Sequence, residues 1–124
     1  MTHRSLTAAA LGLALALPTA AAATPFTPVT DESQFRQLVQ DRDLKYGLFG
    51  VTLRVLQNGA ITGSAIGSEV SGNWTWRDGY FCRSLNWGGD DLGYNCQLVE
   101  VSPQAQVRFT VDQGRGESAT FRLQ

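Results

Sequence analysis

The chain has 124 residues, with ten Lys and Arg against eleven Asp and Glu. Residues 1–23 read as an export leader, which takes Arg4 with it and leaves one small, slightly acidic domain over residues 24–124. That balance excludes nucleic acid as a partner, because neutralising phosphates needs a basic surface; His3 and Met1, the only residues of their kind, also leave, so the domain cannot hold a Ser-His-Asp triad, a His zinc site or a His-ligated haem.

The leader consists of a short segment carrying Arg4, an apolar run from Leu6 to Leu17, Pro18, and Ala21-Ala22-Ala23 as the cleavage site before Thr24. The run falls short of the roughly 18–20 residues that span a bilayer, which favours a secretory signal over an anchor. No later stretch is apolar for long enough, so no membrane span is expected, and the address is periplasmic or secreted. In that oxidising setting Cys82 and Cys96 form one disulfide, and closing a loop of about 15 residues stabilises the fold by roughly 3 kcal/mol. A metal or redox pair would need a further ligand or a C-x-x-C spacing.

Thr24 to Thr30, with Pro25 and Pro28, reads as an extended arm. Asp31 caps a helix over Glu32 to Asp41, with Gln34 in the capping-box position and Phe35, Leu38 and Val39 on one apolar stripe. From Leu48 the period changes to two. Phe49 to Val55 forms a first strand, and Asn58-Gly59 offers a type I′ turn into Ile61 to Gly67. Val70 to Trp76 is the third strand, Tyr80 to Trp87 the fourth and Tyr94 to Val101 the fifth, the last two separated by a loop from Gly88 to Gly93. Val107 to Val111 and Ala119 to Leu123 complete the set, with a turn at Gln113 to Gly116 between them.

Short strands at regular spacing predict a mainly β fold: one N-terminal helix on a seven-stranded antiparallel meander that curls toward a small barrel, with one disulfide. Placing Cys82 opposite Cys96 sets Ser84 against Tyr94. At Asp78-Gly79 a two-residue turn would pair Trp76 with Phe81, and a three-residue turn with a G1 bulge would pair it with Tyr80. The bulge is favoured, which puts Trp74 and Trp76 on the face of Tyr80 and Cys82.

Trp74, Trp76, Tyr80, Phe81, Trp87 and Tyr94 are dense enough either to wall a pocket or to fill a core, with Gly63, Gly67 and Gly72 leaving room for rings on neighbouring strands. Trp74 and Trp76 read as core. Trp87, beside the glycine-rich loop, reads as a rim residue, so Trp87, Asp90, Asp91 and Tyr94 form the candidate ligand-binding site. Oxygen donors from Asn86 to Asn95 could suit calcium, but their order is not that of an EF-hand and a solvated turn is the simpler reading. Arginine is the better fork for a carboxylate or phosphate, although Arg83 could equally pair with Glu100 or Asp91. No metal, cofactor or catalytic residue is expected.

The run Gly72-Asn73-Trp74-Thr75-Trp76-Arg77-Asp78-Gly79-Tyr80-Phe81-Cys82-Arg83, followed by Asn95-Cys96-Gln97, resembles a group of small exported alphaproteobacterial proteins. Some of these carry the label dihydrodipicolinate reductase, which implies a cytoplasmic nicotinamide-dependent enzyme with a Rossmann domain. The chain has no glycine fingerprint or βαβ unit for one, so no catalytic residue carries over. In size and address it is also similar to the periplasmic lysozyme inhibitors, small disulfide-bonded β-barrels. The expected function is a non-catalytic binding or interaction module of the periplasm, with an unidentified small ligand or protein as partner; a hydrolase inhibitor and an enzyme are the alternatives.

Overall fold

A computed structural model describes residues 25–124 and, before them, only Gly12 and Ala16. The export leader and its cleavage site lie outside the described residues.

The helix α1 spans Glu32–Val39, about half a turn shorter than the sequence pattern suggests. Asp31 caps it, accepting from the Ser33 backbone N–H at 3.4 Å and from the Ser33 hydroxyl at 2.9 Å. The reciprocal bond from Gln34 is not made. Eight residues cannot hold a helix in water. Burial holds this one, through Phe35 and Val39, and Arg36 adds a clasp by donating to the Gln57 carbonyl at 2.8 Å and lying over the Trp74 ring.

Nine strands follow the expected order with two additions: β1 Thr27–Val29, β2 Leu44–Tyr46, β3 Val51–Val55, β4 Ala60–Ala65, β5 Ser68–Arg77, β6 Tyr80–Trp87, β7 Asp90–Val101, β8 Gln106–Thr110 and β9 Ser118–Leu123. Strands β2 to β7 pair in sequence, β9 pairs with both β2 and β8, and β8 pairs with β7, so eight antiparallel strands close a barrel. Closure removes the open edges that a meander would leave. The two additions are the strands that a period-two pattern cannot reveal, because each has only three residues. Strand β1 is the extended arm with Pro28 at its centre, and it pairs with β7 at Val29 and Val99, just beyond the Phe81–Gln97 pair where the β6–β7 ladder stops.

Three turns depart from expectation. At Asp78-Gly79 the chain makes the two-residue turn, with both residues at positive φ, so Trp76 pairs with Phe81 and Trp74 with Arg83. The favoured bulge is therefore wrong: Trp74 and Trp76 share the inner face with Phe81, while Cys82 and Tyr80 face outward. The physical reason is that one residue of register exchanges every side chain between core and solvent, and only this register puts the rings inside. At Asn58-Gly59 the expected type I′ turn is replaced by a longer connection in which Gly59 alone has positive φ and Leu56 and Ala60 share a backbone bond. The loop from Gly88 to Gly93 is also wrong. Only Gly88-Gly89 turns, and β7 starts at Asp90 with a register shift near Asn86 that leaves Leu92 as the extra residue.

Gly63 and Gly72 do not make room for neighbouring rings. A Cβ at Gly63 would overlap the Thr52 carbonyl and lie 2.9 Å from Leu53 Cα, and one at Gly72 would overlap the Ser84 carbonyl. Both glycines admit the adjoining strand's backbone where the wall bends. Gly63→Ala should therefore cost about 1–3 kcal/mol, as overpacking against backbone does. Urea titration is the check, and an unchanged midpoint would show that the wall yields there.

The disulfide joins Cys82 to Cys96 as expected, directly across β6 and β7. Among the described residues no helix is long and apolar enough to cross a membrane.

Candidate functional site

Inward-facing residues divide the barrel into a packed end and a hollow one. At the α1 end Phe35 stands among four rings, with centroids at 5.0 Å from Trp76, 5.1 Å from Phe81, 5.4 Å from Trp74 and 6.4 Å from Phe109. The Trp74 indole N–H is satisfied by the Leu56 carbonyl at 2.8 Å. This plug is solid core, as the sequence reading of Trp74 and Trp76 holds.

Above the plug lies a cavity of about 280 Å³ whose floor is Phe81 and Phe109 and whose walls include Leu53, Leu85 and Phe121. A second apolar space opens over it at the far end, bordered by Phe49, Ile66, Trp87 and Leu92. Leu53 and Leu85 border both. The second space, the mouth, therefore adjoins the cavity at these two side chains, and Phe49, Ile66 and Leu92 stand exposed around it.

From β6 and β7 two polar side chains face this apolar space. Arg83 occupies an inward position of β6 between Phe81 and Leu85, so its guanidinium is half-buried. Its Nη1 donates to the Gly93 carbonyl at 2.9 Å. None of the three ion pairs among the described residues includes it, since Glu100 pairs with Arg108 and Asp91 turns its carboxylate to the Gly93 N–H. Neither cross-strand pairing expected for Arg83 forms. Burial without a counter-charge holds its pKa below the usual arginine value, although the group remains a cation at any working pH.

Gln97 lies opposite Phe81 on β7, diagonal to Arg83, and is only 6 % exposed. Its side-chain amide makes no hydrogen bond to protein. Every fully enclosed side-chain nitrogen or oxygen among the described residues has a partner, so the Gln97 amide faces the cavity it lines. On the opposite wall Glu117 and Ser118 border the same space. Ser118 is already engaged, sharing a 2.6 Å hydrogen bond with Thr110. A coil at Val111–Gly114, wound left-handed at Asp112 and Gln113, is clasped to β7 by Asn95, which donates to the Asp112 carboxylate at 2.8 Å and accepts from its backbone N–H at 3.0 Å.

The four rim residues singled out from sequence do not converge. Trp87 borders the mouth, its indole N–H donating to the Ala65 carbonyl at 2.8 Å, and Asp90 is its register partner. Asp91 caps the bulge at Gly93. Tyr94 is exposed on the outer face, where its hydroxyl lies 3.4 Å from the Cys96 sulfur. Comparison with protein-family models, with curated proteins and with solved structures finds no match.

Of the two, Arg83 was visible as a pattern and Gln97 was not. Phe81, Arg83, Leu85 and Trp87 alternate along one strand face, and a cation in the middle of an apolar face is the kind of exception that marks a site.

Proposed function

We propose that this protein is an exported, non-catalytic binding module of the bacterial periplasm, and that it holds a small apolar molecule inside its barrel. The observation that carries the reading is the hollow above the aromatic plug. Protein interiors pack to crystal density with few voids larger than a water molecule, whereas this one keeps about 280 Å³ beneath an apolar mouth. That is close to the lower end of the range of about 300–1,000 Å³ typical of ligand pockets. The Cys82–Cys96 bond and the leader-like residues 1–23 support the address. The enzyme reading lacks support: every strand pair among the described residues is antiparallel, and a dinucleotide site of the Rossmann kind needs parallel βαβ units.

The test is titration of the purified, oxidised protein with the neutral fluorophore N-phenylnaphthylamine. Saturable enhancement at one site per chain is expected, and it should be lost in Ala119→Phe, which fills the cavity from β9, while the circular dichroism stays native. Absence of any enhancement with the natively folded protein would end the reading.

The exposed rim of Phe49, Ile66 and Leu92 favours a second reading, in which the same end covers a protein surface such as that of a cell-wall hydrolase. Equimolar addition to lysozyme separates the two. Full inhibition that persists in Ala119→Phe would move the function from the lumen to the rim.

A further inference from the structure

We infer that the molecule held in the lumen is an amphiphile with a single carboxylate on a medium-length hydrocarbon chain, its head on Arg83 and Gln97 and its chain running past Leu53 and Leu85 toward the mouth. The inference rests on the lumen reading above and adds the chemistry of the occupant.

Three observations meet at this point. Arg83 is a half-buried cation with one carbonyl partner and no carboxylate. A guanidinium carries five N–H donors in a fork that matches a carboxylate, so most of its capacity is free. Gln97, nine-tenths buried, turns an unbonded amide to the same space, and its NH₂ is a further donor for the same anion. Leaving such groups unpaired in an apolar setting costs stability, and a bound carboxylate would satisfy both at once.

The rest of the cavity's lining is apolar apart from Glu117 and Ser118 on the opposite wall, where Ser118 is held by Thr110 and Glu117 makes no ion pair with Arg83. From Arg83 upward, β6 presents Leu85 and then Trp87, and the space between cavity and mouth is bordered by Leu53 and Leu85. No cation stands at the mouth among the residues that border it. An inward head and an outward tail therefore fit, while a dianion or a sugar would leave its polar groups against hydrocarbon. A cavity of about 280 Å³ suits a short to medium acyl chain and is too small for a two-chain lipid.

The experiment compares decanoate, decanol and decylammonium as displacers of N-phenylnaphthylamine from the full, oxidised protein. Decanoate is expected to bind about ten- to a hundredfold more tightly than decanol, as a charge-assisted hydrogen bond in a desolvated site implies, and decylammonium more weakly than either. Arg83→Met should erase the preference for decanoate, with a melting temperature no lower than that of the unsubstituted protein, because an unpaired half-buried charge is replaced by an apolar chain of similar length. Arg83→Lys keeps the charge without the fork and should retain part of the preference. If the fluorophore binds but decanoate displaces it no better than decanol, the carboxylate assignment falls and the lumen reading stands. If the fluorophore does not bind, both fall. A lowered melting temperature in both Arg83 variants, with fluorophore binding lost, would show that Arg83 serves the wall of the barrel and would overturn the assignment.

Discussion

Phe35→Ala is expected to cost about 3–5 kcal/mol of folding free energy, the largest effect of any single truncation in the domain. Phe35 is fully buried and touches rings from β5, β6 and β8, so removing it empties the centre of the plug rather than one side of it. The edge and offset contacts with Trp74 and Trp76 add about 0.5–1.5 kcal/mol per pair beyond simple burial. Losing that much from a total stability of about 5–15 kcal/mol brings the domain close to unfolding at body temperature. The helix has Val39 as its only other fully buried anchor, so its signal should fray before the barrel melts. Urea titration followed by tryptophan fluorescence measures the loss, and a cost below about 1 kcal/mol would show that the plug is not what closes this end.

Removing the disulfide is expected to cost about 3 kcal/mol in the chain-entropy model. The crosslink joins residues separated by 14 positions across a hairpin whose register is set by the two-residue turn at Gly88-Gly89 together with the bulge at Leu92. The native barrel should therefore keep its shape, with the loss arising in the unfolded chain. Cys82→Ala with Cys96→Ala should lower the urea midpoint while leaving N-phenylnaphthylamine affinity within about twofold, since both sulfurs lie on the outer face and the lumen lies behind them. Loss of probe binding in the still-folded variant would mean that the bond also holds the wall in position.

The opposite expectations for Phe35 and Arg83 describe how the interior is organised. One end is filled with aromatic rings that can only stabilise. The other keeps a cation and an amide where apolar side chains would pack more favourably, a cost that the proposed binding role would explain. The exposed ion pairs Arg36–Glu32 and Arg54–Asp43 belong to neither class and, screened by solvent, contribute little.

Much of the fold was legible in the residues. Period-two alternation, the glycine-bearing turns and the capped apolar stripe from Asp31 to Val39 are local signals, and each appears as helix, strand or turn within a few residues of its expected place. Cys82 and Cys96 also met in the expected register, although the two-residue turn alone would set Cys82 against Asn95 and the bulge at Leu92 supplies the missing step. The tertiary structure decided everything that depends on parity and closure. Whether Asp78-Gly79 turns in two residues or three is a small local difference, yet it determines whether Trp74 and Trp76 meet Phe81 inside or Cys82 outside, and the burial of four rings around Phe35 outweighs it. Closure rests on Leu44–Tyr46, too short to carry a pattern, pairing with a strand at the other end of the chain. Strand parity turns Arg83 inward with Gln97, away from Glu100 and Asp91, and closure makes the space they face a hollow that no run of neighbouring residues could have revealed.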